Sequence, residues 1–232
     1  MKSGELKLFV TILIVAVILA AIAIYPSLTA ARQMPQGPTV IADPIKAKVT
    51  RKDLFPEGSF FKGSPKAPYL LVEFADYQCP LCATSVEEVN KILQRFPGKF
   101  CFVFHPVQIT GGHQNALLMA QAAAAAGRQG KFWQMHEALF QKQRLFTGIP
   151  EVDALEIINR TAKEVGLDMM QFGADLKNPE VSKTLERSSK VAAGADVQAT
   201  PTFFVIGPDN KTVRVGALRD LLNWVDKPGN IK

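Results

Sequence analysis

Apolar residues recur along this chain in three rhythms. From Leu8 to Tyr25 they form one run, broken only by Thr11 and carrying no charge. About 18 such residues are what a helix needs to cross a bilayer. Shorter continuous runs, Tyr69-Leu70-Leu71-Val72-Glu73-Phe74 and Lys99 to Pro106, predict buried strands. Helical spacing follows the first of these: Val86, Val89, Ile92, Leu93 and Phe96 share one face of a helix over Thr84 to Phe96. Strand, helix, strand is the pattern of a βαβ unit. Helices are then predicted over 113–128, 132–142, 151–165, 168–176 and 179–195. The first of them is rich in alanine, which suits a helix with close neighbours. Strands resume at Thr202 to Ile206 and, past the turn Gly207-Pro208-Asp209-Asn210, at Thr212 to Val215. A helix over Leu218 to Val225 closes the pattern. The fold class is α/β, with a helical insertion at about 113–195.

The same pattern divides the chain. Residues 1–7 carry Lys2 and Lys7 ahead of the apolar run, and Arg32 is the only basic residue soon after it. The charge asymmetry keeps the N-terminus cytoplasmic and exports the rest. Residues 8–25 then read as one transmembrane helix. A cleaved signal peptide is the alternative, with Thr29-Ala30-Ala31 as its small-residue site. Residues 26–58, with Pro26, Pro35, Pro38, Pro44 and Pro56, read as a tether. Residues 59–232 form the domain. Either reading of the N-terminus places that domain on the extracytoplasmic side of a cell membrane, where disulfides persist.

The net charge of +6 over 232 residues is spread without a basic run. It does not make a nucleic-acid footprint, and no nucleic-acid partner is expected. Three cysteines are too few for a disulfide-stapled scaffold. The domain must be held by its core.

Two of those cysteines sit where they have chemistry. Cys79-Pro80-Leu81-Cys82 lies between the first buried strand and the helix after it. A Cys-x-x-Cys there is the redox form of the motif. The first cysteine falls at the helix N-terminus, where unpaired N–H groups and the helix dipole favour a thiolate. A thiolate beside a second thiol can form, break or swap disulfides.

Two further positions join them. Thr200-Pro201-Thr202 precedes a strand, and proline suits a strand start. Beside the cysteine motif, a cis Thr200–Pro201 bond would offer the Thr200 backbone to an incoming chain. The alternative is an ordinary trans proline. Glu73 is alone among Leu70, Leu71, Val72 and Phe74. Buried under a dithiol, its carboxyl would have a raised pKa and could exchange a proton with Cys82. The alternative is an edge position facing water.

Cys101 and His105 extend the cysteine pair toward a zinc spacing. Both lie in one predicted strand, four residues apart, so roughly 13 Å separates them at about 3.3 Å per residue. One tetrahedral ion cannot bind both. No metal and no cofactor is expected, and Cys101 reads as a small apolar core residue.

Taken together, Val72-Glu73-Phe74, Tyr77 to Cys82, Gly130 to His136 with Leu139-Phe140, and Ala199 to Val205 resemble the DsbA-like thiol–disulfide oxidoreductases. The resemblance runs in order from Ser59 to Val225. It implies a thioredoxin-like fold with a helical insertion. It also implies Cys79 as the exposed nucleophile, Cys82 as the buried resolving cysteine, Thr200-Pro201 as a cis-proline substrate loop and Glu73 as a buried proton carrier. Pro80 and Leu81 are then the active-site loop. The family's best-known oxidant has His where this chain has Leu81, so the Cys79 pKa is expected in the upper half of about 3.5–7.5. The implied activity is oxidation of cysteine pairs in exported proteins. Reductase or isomerase activity, or a redox-inactive binding module or chaperone, are the alternatives. Expected partners are exported clients with thiols or disulfides and a membrane redox protein. No dimerisation domain is evident, and a monomer is expected.

Overall fold

The computed structural model describes residues 49–109, 111–215 and 218–231. Among these the elements are α1 (Arg51–Leu54), β1 (Phe60–Gly63), β2 (Tyr69–Ala75), α2 (Pro80–Arg95), β3 (Phe100–Pro106), α3 (Ala116–Gly127), α4 (Phe132–Gln141), a 3-10 turn (Gln143–Phe146), α5 (Glu151–Val165), α6 (Met169–Leu176), α7 (Pro179–Gly194), β4 (Thr202–Ile206), β5 (Thr212–Val215) and α8 (Leu218–Asp226). The strands form one sheet in the order β1-β3-β2-β4-β5. β2 and β3 are parallel and joined by α2; the other three pairings are antiparallel. This is a thioredoxin-like α/β fold with α3 to α7 inserted between its halves. Among the described residues no helix is long and apolar enough to cross a membrane. The span expected at residues 8–25 and the tether up to residue 48 lie outside the described residues.

The central strand explains the site. Every residue of β2 and β3 is buried, as strands covered on both faces require. Side chains alternate between faces. Leu70, Val72 and Phe74 pack with Cys101, Val103, Phe204 and Ile206 on one side. Tyr69, Leu71 and Ala75 face the other side, with Val89 and Ile92 of α2. Glu73 has the parity of Leu71 and Ala75, which aims a carboxyl beneath α2.

Capping and volume account for the insertion. Asn178 caps α7 by accepting from the Glu180 N–H at 2.9 Å, and Pro179 takes the first helical position. Ala122 to Ala126 of α3 are all buried. Their small side chains let α4, α5, α6 and α7 all approach α3.

Two differences from expectation have local causes. Residues from Val49 already belong to the fold: Leu54 is fully buried, and its carbonyl meets His105 Nε2 at 3.0 Å. The proline content of 26–58 hid the short α1, whose Thr50–Asp53 capping box is plain in the structure. Helix α2 starts at Pro80 instead of Thr84 and buries Cys82, Ser85, Val89 and Ile92. Its buried face is therefore rotated from the all-apolar one, because Cys82 and Ser85 supply its first turn. Cys101 is fully buried in β3, in the core.

Candidate active site

Cys79 is the N-cap of α2 and has extended backbone, and its side chain makes no capping bond. Its backbone is held on both sides. The Cys79 N–H donates to Asp76 O at 3.0 Å, and its carbonyl accepts from the Cys82 N–H at 3.0 Å. The sulfur is thus released from capping and set at the positive end of the helix. Cys82, one turn on, is fully buried; Cys79 keeps 7% of its surface. Both are free thiols.

Cys79 is less open than expected because the Thr200–Pro201 loop covers it. The Cys79 thiol donates to the Thr200 carbonyl at 3.4 Å, across 121 residues of sequence. The Thr200–Pro201 bond is cis. Leu81, between the cysteines, is 65% exposed. The loop residue Pro80 opens the helix at its first position.

The charges at the site are uneven. The Cys79 pKa is lowered to about 5. The largest cause is the Cys82 thiol, which hydrogen-bonds the Cys79 sulfur; partial burial opposes it, and the Thr200 side chain and the Cys82 and Leu81 N–H groups add to it. This lies below the upper half of the range expected for a site lacking a histidine beside the thiolate. Local donors from α2 itself do the work that an imidazolium would do. The Cys82 pKa is raised, first by burial, then by its bond to Cys79 and by the negative charges of Cys79 and Glu73.

Glu73 is 2% exposed in the middle of the sheet, not at a wet edge. Burial pushes its carboxyl up to about 8; the Ser85 hydroxyl pulls it down and the Cys79 charge adds to the rise. Ser85 Oγ bonds both Glu73 Oε1 and, at 2.7 Å, the Cys82 carbonyl. On its other side Glu73 borders a cavity of about 10 Å³ shared with Lys62, Asn90, Trp133 and His136. Lys62 Nζ bonds Glu137 at 2.9 Å and Asn90 at 3.1 Å, and sits 4.7 Å above the Trp133 ring. Burial holds His136 neutral, lowering its pKa to about 3.

The structure therefore brings Glu73, Cys79, Pro80, Leu81, Cys82, Thr200 and Pro201 into one place. It adds residues that the sequence pattern did not single out. Ser85 was detectable in principle, one helical turn after Cys82. Gln143 was not: from the 3-10 turn its amide donates to the carbonyls of Tyr77 and Cys79, each at 2.9 Å. Asp76 accepts from Gln78 N–H at 2.7 Å and meets His113 Nδ1 at 2.9 Å. Gln78 donates to Phe146 O at 3.0 Å. The insertion thus clamps the active-site loop from the side.

Residues 56–223 match the model of the thioredoxin family. The chain belongs to the thioredoxin family. Among solved structures this thioredoxin-family chain is similar to a thioredoxin-like oxidoreductase from Silicibacter pomeroyi DSS-3. That pair is 28% identical with a TM-score of 0.62, over 76% of this chain and 95% of that one. It also shares its fold with the thiol–disulfide exchange protein alpha-DsbA2 from Wolbachia pipientis (22% identical, TM-score 0.59, 75% and 89% covered). BdbD from Bacillus subtilis is a third such structure (24% identical, TM-score 0.57, 73% and 91% covered). The architecture is that of the DsbA-like thiol–disulfide oxidoreductases. Among curated proteins the chain is 34% identical to the Na(+)/H(+) antiporter NhaA 1 of Mycobacterium sp. (strain KMS) over 161 residues, 67% of this chain and 25% of the antiporter. The thioredoxin-family chain spans about a quarter of the length of the curated relatives it matches.

Proposed function

We propose that this protein is an extracytoplasmic disulfide oxidase. A client thiolate attacks Cys79 of the Cys79–Cys82 disulfide. The bond between the two cysteines breaks, a Cys79–client bond forms, and Cys82 leaves with the electron pair and takes a proton from Glu73. A second client thiolate then attacks the client sulfur of the mixed disulfide. The client departs oxidised by two electrons, and Cys79 departs as a thiolate. A membrane redox partner accepts those two electrons and restores the disulfide.

The observation that carries this reading is the stabilised Cys79 thiolate, at about pKa 5, against a buried neutral Cys82. A thiolate stabilised in the reduced protein makes the disulfide more oxidising. The Thr200 carbonyl beside the sulfur, on the loop before β4, supports client binding by strand-like backbone pairing. Leu81, exposed beside it, supplies an apolar contact.

Equilibration of the full chain with glutathione tests the direction. A potential near about −120 mV, with oxidation of a reduced two-cysteine peptide, is the expected result. A value near about −270 mV would assign the protein to reduction instead. No exchange with the peptide at all would leave a binding module.

The extracytoplasmic placement rests on the uncharged run from Leu8 to Tyr25 behind Lys2 and Lys7. Alkali-washed membranes of cells making the full chain should retain it with residues 1–31 intact. A mature N-terminus near Ala31 in the soluble fraction would replace the anchor by a cleaved signal.

A further inference from the structure

Glu73, as the proton carrier proposed above, has to lose and regain a charge inside the core. A buried carboxylate without a donor is very costly. Ser85 is fully buried on the first turns of α2, and its Oγ reaches both Glu73 Oε1 and the Cys82 carbonyl. A hydroxyl has one hydrogen. Against an ionised Glu73 that hydrogen belongs on the carboxylate, where a charge-assisted bond is about twice as strong as a neutral one. Against a neutral Glu73 it is free to turn to the Cys82 carbonyl, and Ser85 can accept from the acid. The Cys82 carbonyl needs it in neither state, because it lies inside α2 and can take a helical N–H.

We propose that Ser85 is a positioning residue whose hydroxyl turns between Glu73 and the Cys82 carbonyl, and so sets how readily Glu73 gives its proton to Cys82. When the disulfide opens, the Cys82 sulfur takes the electron pair of the broken bond and the Glu73 proton. Glu73 is left as a carboxylate, and the Ser85 hydrogen swings onto Oε1 to meet the new charge until, below about pH 8, the carboxyl regains a proton from solvent and the hydroxyl swings back. When the disulfide re-forms, Cys82 gives its proton to the ionised fraction of Glu73. Ser85 hydrogen-bonds Glu73 from α2, and Cys82 lies close enough to Glu73 for each to feel the other's charge. The titratable and charged groups facing Glu73 are Cys79 and Cys82 of α2, Tyr77 of the loop, Lys62 of β1 and His136 of α4. His136 is neutral, Lys62 is engaged with Glu137 and Asn90, and neither cysteine nor Tyr77 can stabilise a Glu73 carboxylate by charge.

The inference rests on the proton-carrier reading of Glu73, and one experiment separates them. Carbon NMR of the Glu73 carboxyl in the reduced full chain follows its titration directly, whatever the direction of electron flow. The wild-type carboxyl should titrate near 8. Ser85→Ala should move it upward by about one to two pH units, the worth of a hydrogen bond to a charged group. Ser85→Thr, which keeps the hydroxyl, should restore most of the wild-type value. The pH profile of peptide oxidation should shift with the carboxyl in Ser85→Ala. In Glu73→Gln the further change Ser85→Ala should leave the profile where it was. A wild-type carboxyl titrating near 4.5 would remove the proton carrier itself. A carboxyl near 8 that does not move in Ser85→Ala, or an equal Ser85→Ala effect in the Glu73→Gln background, would overturn the role of Ser85 alone.

Discussion

Cys82→Ser and Cys82→Ala should each turn this protein into a trap: client proteins are expected to accumulate on Cys79 as mixed disulfides, while Cys79→Ala should capture none. The asymmetry follows from the site. With a pKa of about 5, Cys79 holds roughly one hundred thiolates for each thiol at pH 7. Cys82 is fully buried and its pKa is raised, so it neither meets clients nor ionises readily. In either variant the Cys79 thiolate attacks a client disulfide, one client sulfur leaves as a thiolate, and the Cys79–client bond persists because the thiol of this protein that would displace it is gone. The two replacements should differ in one respect. The Cys82 thiol is the largest cause of the low Cys79 pKa. Serine keeps a donor at that position and should hold the thiolate absorbance midpoint close to 5. Alanine removes it and should raise the midpoint by about one to two pH units, as expected for a lost bond to a charged group. Equal trapping through Cys79 and Cys82 in non-reducing gels would overturn the assignment of nucleophile and resolver. A midpoint indifferent to alanine would transfer the thiolate's stability to the helix terminus.

Glu73→Gln should make the reduced protein more stable at alkaline pH and slower as a catalyst. In the unfolded chain the carboxyl releases its proton near 4.5; in the folded protein it holds it to about 8. Folding therefore takes up a proton between those values. The contribution of Glu73 is fully present below pH 4.5 and is lost as pH rises to 8. At about 1.36 kcal/mol per pH unit the full swing is on the order of 5 kcal/mol. Glutamine has the same shape and does not titrate. The variant should match the wild type near pH 4.5 and exceed it by several kcal/mol above pH 8, read from denaturant unfolding across that range. Stability curves that stay parallel across it would mean that Glu73 is not held neutral by burial. Losing the proton donor should slow peptide oxidation by about 10²-fold at neutral pH, the low end of what a positioned acid contributes.

Much of the architecture was legible because it depends on local rhythm. The runs at β2 and β4 and the helical spacing of α5 reproduce their observed bounds within a residue. β1 was missed: four residues with alternating burial, Phe60 to Gly63, make too short a pattern to separate from a loop. The short α1 was missed because prolines around it suggested a tether.

The same division runs through the site. The sequence by itself determined the cysteine pair at a helix start, the proline loop and the lone carboxylate in a buried strand. Each is a local anomaly: two thiols where a dipole begins, a proline before a strand, an acid among apolar residues. Tertiary structure decided how they act on one another. The Thr200 carbonyl reaches the Cys79 sulfur only because β4 pairs with β2. Cys79 is nearly covered instead of open for that reason, with 7% of its surface left. Gln143 grips the cysteine loop from 64 residues away because the insertion folds back over it. The Cys79 pKa depends on a few donors whose distances no spacing rule encodes. Hydrogen-bond and electrostatic effects fall steeply with geometry, and geometry between distant segments is fixed only when the whole core packs.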